Sequence, residues 1–450
     1  MLNHRLEYQC LKTVLLHMDA NIRFRISLHM PSIKSVEKVV PLKVQHLEMK
    51  NCTTMVNNTS YVVEVLRHYP EGNCPRPTEL ERSRIEPFSD FDEFGFPVVS
   101  GANVLLPGDV SFQEETPEVR HDTEEDERTY RKILRVQERA LMILQKFESR
   151  GVAVGDSPIT LEDVPDEELT EEDPLVRLFP RYTSEELLDF IGGSKLDILP
   201  FDCRKNNMKP PFTCYVQLTI TKGESIHVER YEYNRKLFEA SKHLNEVLFG
   251  GRTTIRVGRF PLSDDEVYRL PIGFRLHVNE ARLSPNTVTH KNVQLIVENW
   301  ESLSTLEINM LLSGLQSDAY KSQIVRNARR LSLFLIAEDQ LETLNNAIKD
   351  LPNREICILP ISLSNSQEVL FTLIQSWLNG QREDGASLLT RIRGEKSKSN
   401  VLKWIETRYE EIERTESSTT FHLNNSSGQE ASCVVSQDAS RMLTMNIVKV

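Results

Sequence analysis

The chain has 450 residues, 39% hydrophobic and 27% charged, with a formal net charge of -12. That length exceeds one typical core and implies two or three modules, while the acidic balance disfavours a phosphate-backbone partner. No apolar run approaches the ~18 residues of a membrane span, and the opening MLNHRLEYQ lacks the unbroken apolar core of a secretory signal.

Residues 1–69 read as short helices followed by a hairpin. Leu11, Val14, Leu15 and Met18 recur at helical spacing. Pro31 suits the first position of a helix carrying Ile33 and Val36. Leu42–Met49 and Tyr61–Leu66 read as strands, with turn chemistry at Asn57-Asn58-Thr59-Ser60 between them.

Residues 70–126 are Pro-rich and acidic, mostly loop, with short ordered pieces expected at FGFPVV and NVLLPGDV. A helix is predicted over 127–150 and an acidic linker over 151–175.

Residues 176–290 form a central α+β module. CYVQLTI and SIHVERYEY flank Lys222-Gly223-Glu224, a hairpin loop. Asn234 is the expected cap of a helix ending at Gly250-Gly251. TTIRVGRF and GFRLHVNEARL follow as strands, the second alternating Phe274, Leu276 and Val278 with Arg275, His277 and Asn279.

Over 291–450 the pattern predicts strand–helix units in series. The expected strands are NVQLIVENW, RRLSLFLIA, REICILPISL and ASLLTRIRG. The helices between them start at a Ser304/Glu307 capping box, then carry Leu341 to Leu351, Leu370 to Leu378, and Leu402 to Ile412. LFLI and ICIL are apolar on both faces, which predicts burial on both sides. TFHL, SCVV and MLTMNIVKV read as closing antiparallel strands. The fold class is therefore α/β, mixed α+β overall. N-terminal helices and a hairpin precede a central β-hairpin–helix–strand module, and an irregular leucine-rich-repeat-like array ends in antiparallel strands.

Seven cysteines at wide spacing, with no CxxC, point to reduced thiols in the cytoplasm or nucleus. Gly192-Gly193-Ser194-Lys195 lacks the phosphate-loop frame and reads as a helix C-cap. No GxSxG, HExxH or GxGxxG occurs, and no His pairs with another His or Cys at ligand spacing. These observations predict a non-enzymatic protein with no cofactor and no metal. Trp377 and Trp404 lie in helical apolar stripes and read as core; Trp300 closes an expected strand.

LKTVLLHMDANIRFRIS, MPSIKSVEKVVPLKV, YVVEVLRHYPEG, ERYEYNRKLFEASKHLNEVLFGGR, RLPIGFRLHVNEARL and IQSWLNGQREDGASLLTRIR are long collinear segments. Together they resemble a large nematode family of F-box-C-type proteins with an associated domain of unknown function. The resemblance implies an N-terminal helical box docking on an Skp1-type adaptor of a ubiquitin ligase, with the remainder selecting a target. No Leu-Pro pair opens the first helix here, so Leu11, Val14, Leu15 and Ile22 would supply the adaptor face; packing against the first hairpin is the competing role for the same residues. The expected partners are proteins, not nucleic acid and not membrane. An orphan enzyme with a pocket between the central and C-terminal modules is the alternative, and an assembly protein without a ligase link is a third.

Overall fold

A computed structural model describes residues 7–50, 52–70, 89–98, 104–112, 121–149, 183–263, 266–283, 291–309, 321–335, 348–360 and 385–391, the strands at 410–414, 418–424, 430–437 and 442–449, and isolated residues at 372, 374–377, 400, 403, 404 and 406–408. Helices α1 (Tyr8–His17), α2 (Ala20–His29) and α3 (Pro31–Val39) precede β1 (Leu42–Lys50), β2 (Thr53–Val56) and β3 (Thr59–His68). Asp19 caps α2 by accepting from the N–H groups of Asn21 (3.0 Å) and Ile22 (3.4 Å), and Pro31 opens α3 as its sequence position suggested. The expected four-residue turn contracts to Asn57-Asn58, and the residues before it form the additional strand β2.

Three tiny strands, β4 (Asp90–Phe91), β5 (Pro97–Val98) and β6 (Val110–Ser111), anchor the Pro-rich region. Helices α4 (Glu124–Ser149) and α5 (Ser184–Lys205) pack on each other. Gly192-Gly193-Ser194-Lys195 lies inside α5 and is not its C-cap. Ser194 is buried there and donates to Gln137 Oε1 of α4 at 2.8 Å, so a buried polar pair fixes the register of the two helices.

The hairpin β7 (Thr213–Lys222) and β8 (Ser225–Glu232) turns at Gly223, whose φ of 57° favours glycine. Then come α6 (Leu237–Phe249), β9 (Ile255–Pro261), β10 (Val267–Tyr268) and β11 (His277–Leu283). Asn234 does not cap α6. The helix begins at Leu237, and the buried Asp90, distant in sequence, accepts the Leu237 N–H at 2.9 Å.

The array continues as β12 (Thr305–Asn309), β13 (Arg330–Leu335), β14 (Glu355–Pro360) and β15 (Ser387–Arg391). It closes with β16 (Glu410–Arg414), β17 (Ser418–Asn424), β18 (Glu430–Gln437) and β19 (Met442–Lys449), paired antiparallel to one another and through β19 to β15. Two expectations shift. NVQLIVENW is mostly 3-10 helix, at Lys291–Leu295 and Trp300–Ser302, and Ser304/Glu307 opens strand β12 and not a helix. Ile412 likewise lies in β16. Val293 and Ile296 still reach the core, because a tight helical turn can bury apolar residues three apart on one side.

Fifteen strands form one sheet in the order β16-β17-β18-β19-β15-β14-β13-β12-β11-β9-β1-β2-β3-β7-β8. From β9 to β15 the neighbours are parallel and follow chain order without reversal. Glu280 faces Thr305, Thr305 faces Arg330, and Arg330 faces Glu355, a constant step of 25 residues. The protein is therefore mixed α/β, with a mostly parallel array ending in antiparallel strands.

One face of that array is dry. Leu306, Leu331, Ile356, Leu388 and Met445 stand in register and are all 0% exposed. Burying each such side chain contributes roughly 1.5–3 kcal/mol. Ile374 and Trp377 cover this core, as their helical stripe predicted. On the opposite face Ser332 and Cys357 are buried as well, as expected of strands covered on both sides. Asparagines tie adjacent turns together. Asn299 bonds both backbone groups of Val278, and Asn353 Nδ2 donates to Val325 O and Ala328 O, both at 2.6 Å.

Candidate functional site

Strand β1 serves two neighbours. Leu42–His46 pairs with β9 in parallel, whereas Leu47–Lys50 pairs with β2 antiparallel. At the switch Asn57, held at a φ of 57°, accepts the N–H groups of Gln45 (2.8 Å) and His46 (3.2 Å) and donates through Nδ2 to Asp19 (3.3 Å). One hairpin residue thus binds β1 to the α2 cap, and an open groove of about 1450 Å³ lies over this junction.

The groove floor is the outer face of β1, β9 and β11. Lys43 stands opposite Arg256, and Arg256 opposite His277, so three basic side chains form one cross-strand row, all exposed. In the next row Gln45, Gly258 and Asn279 line the groove. A Cβ at Gly258 would sit 2.6 Å from the Gln45 carbonyl, so this strand approach admits only glycine. The α1–α2 turn, including Asp19, and Glu298 complete the wall.

Farther along the same face the charges are paired. Arg259 meets Glu280 (3.0 Å) and Glu307 (2.6 Å), and Arg330 meets Glu355 (2.5 Å). Burial, reinforced by the neighbouring Glu307 carboxylate, pushes the Glu280 carboxyl above its ordinary value. Burial would also raise Glu48, but Lys50 and His46 outweigh it and hold that carboxyl low.

Other charges serve the interior. Glu37 Oε1 accepts from Arg23 Nε (2.8 Å) and Arg252 Nη1 (2.6 Å), with all three side chains 0–1% exposed. Burial lowers the Arg23 pKa, and its guanidinium also donates to the carbonyls of Glu37, Val40 and Pro41. This cluster fastens α2 and α3 to the end of α6. A second cluster fastens the LLPGDV loop, where buried Asp109 takes Lys242 (2.7 Å) and Arg269 (2.8 Å). Burial drives the Cys52 thiol up to about 12, and Tyr61, buried and donating to Asn21, also rises to about 12.

Of the four residues singled out for partner contact, Val14 and Ile22 are 44% and 45% exposed, Leu11 is half-buried, and Leu15 is 1% exposed. Leu15 faces inward, so surface contact from this set falls to Val14 and Ile22. The structure adds Leu28, Met30 and Val39 to the exposed apolar residues of these helices. Sequence reasoning missed the groove because its rows unite strands from opposite halves of the chain. It missed Glu37, Asp90 and Asp109 because an isolated acid carries no sign of burial. Among the described residues no group of three His, Cys, Asp or Glu is placed to hold a metal, and no helix is long and apolar enough to cross a membrane.

Residues 236–394 match the model of a family described as a domain of unknown function, DUF3557. No curated protein and no solved structure matches the chain. The matched stretch begins at α6 and runs through β15, so it includes Arg256 and His277 of the groove, while Lys43 and Gln45 come from outside it.

Proposed function

We propose that this chain is a non-enzymatic protein-interaction module that holds a partner protein on the outer face of its sheet. One observation carries the reading. The array buries one face in a continuous aliphatic row, whereas the β9–β12 part of the other face offers half-exposed charges in register. A rigid sheet of this kind keeps its shape while the outward residues specify a partner. Affinity purification of the full chain with mass spectrometry tests it. A protein retained by the wild-type chain and lost on Arg259→Glu is expected; a wild-type chain that retains no protein overturns the reading.

The exposed Val14 and Ile22, with Leu28, Met30 and Val39 nearby in sequence, support a second contact. We infer that these helices recruit an Skp1-type adaptor of a ubiquitin ligase, acting in the cytoplasm or nucleus. Truncation is unsuited to testing this, because removing α2 and α3 takes away the buried Arg23–Glu37 pair and leaves Arg252 without its carboxylate. The double variant Val14→Asp/Ile22→Asp instead alters only exposed positions. Loss of a co-purifying adaptor with unchanged melting supports the contact, and absence of any adaptor from the wild-type sample removes it.

A further inference from the structure

The Lys43–Arg256–His277 row departs from the rest of its own sheet face. Neighbouring parallel strands lie about 4.8 Å apart, so the row carries three basic groups over roughly 10 Å. Like charges directly opposite across strands are destabilising. Elsewhere on this face the fold answers such charge with in-register acids, as at Arg259 with Glu280 and Arg330 with Glu355. Among the described residues none of the three meets a carboxylate within 4.0 Å.

The adjoining row specifies what kind of anion fits. Gln45 and Asn279 are exposed, and neither side-chain amide bonds another described residue. Between them Gly258 presents bare backbone, so two amides flank a trough without a side chain. Side-chain amides offer both donors and acceptors, which suits the N–H and C=O groups of a peptide backbone. The groove volume, about 1450 Å³, exceeds the ~300–1,000 Å³ typical of small-molecule sites.

We propose that this groove binds an acidic peptide segment of a partner protein. Its backbone lies along the Gln45–Gly258–Asn279 trough and its carboxylates meet Lys43 and Arg256, with the exposed His277 ring N–H as a further donor. The two groove acids limit the geometry. Asp19 is engaged by Asn21, Ile22 and Asn57. Glu298, whose N–H bonds Leu276 O at 2.8 Å, lines the β11 end and repels an acid placed beyond His277. The proposal rests on the reading of this chain as a partner-binding protein and names the chemistry of what is bound.

Fluorescence anisotropy on the full chain tests it, with a labelled ten-residue Glu-Ser repeat as probe. Saturable binding that weakens with added salt is expected. Lys43→Glu and Arg256→Glu should each weaken it by about tenfold or more, Arg256→Lys should retain most of it, and Arg330→Glu on the same face should leave it within about twofold. Melting of each variant excludes unfolding as the cause, and Arg256→Gln serves if a reversal fails to fold. No saturable binding, equal binding of a Gln-Ser repeat, insensitivity to Lys43 and Arg256, or binding of a deoxythymidine oligonucleotide in place of the peptide would each overturn the proposal. Affinity capture that still retains a partner in that case leaves the broader reading standing; peptide binding without any captured partner does the reverse.

Discussion

Two sets of basic residues meet at the junction of the N-terminal helices and the sheet, and the fold treats them oppositely. Arg23 and Arg252 are buried around Glu37, with backbone carbonyls taking four of their remaining donors. Lys43 and Arg256, on strands that leave the same region, stand in register and exposed, with no carboxylate within 4.0 Å among the described residues. A charge removed from water needs a partner, because desolvation is otherwise uncompensated. A charge left in water needs none and stays available to a ligand. Position relative to the sheet, and not residue type, separates a buried fastening from an accessible charge.

The most severe way to probe this contrast is Glu37→Ala, which strands two buried guanidiniums. A loss of about 3–5 kcal/mol is expected, read as a lower urea midpoint; a midpoint unchanged from wild type would mean that the cluster does not fasten the helices. Tyr61→Phe is milder, removing the bond to Asn21 at a cost of about 1 kcal/mol at neutral pH. Its pH signature is specific. Tyr61 titrates at about 12 in the folded protein, above the ordinary tyrosine value of about 10. An acid raised on folding stabilises the protein below its unfolded pKa and loses that contribution as pH rises through the folded one. Stability should therefore fall between about pH 10 and 12 in the wild type, and less steeply in Tyr61→Phe, as followed by urea unfolding across that range. The smallest effect belongs to Arg256→Ala, within about 0.5 kcal/mol of wild type and toward greater stability, since it relieves repulsion in the row. A clear destabilisation in thermal melting would show that Arg256 serves packing.

The strand–helix periodicity was legible where each strand is a short aliphatic run. RLSLFL, EICILP and SLLTR formed strands as their pattern indicated, and Ile374 and Trp377 reached the core from a helical stripe. It misled at 291–309, where NVQLIVENW has a strand-like composition but turns helical and passes its place in the ladder to TLEIN. A short apolar run does not by itself distinguish the two, because both bury the same side chains. Gly192-Gly193 misled for a related reason. Paired glycines weaken an isolated helix, yet a neighbouring helix held close by Ser194 and Gln137 compensates.

The amino-acid order alone determined the mixed α/β class, the serial parallel strands and the antiparallel close, since these follow from local periodicity and chain-adjacent pairing. Tertiary structure alone decided that β1 enters the sheet beside β9, more than two hundred residues away, and so which charges are buried and which form the groove. Burial depends on what packs from elsewhere in the chain, and spacing along a single segment carries no record of that.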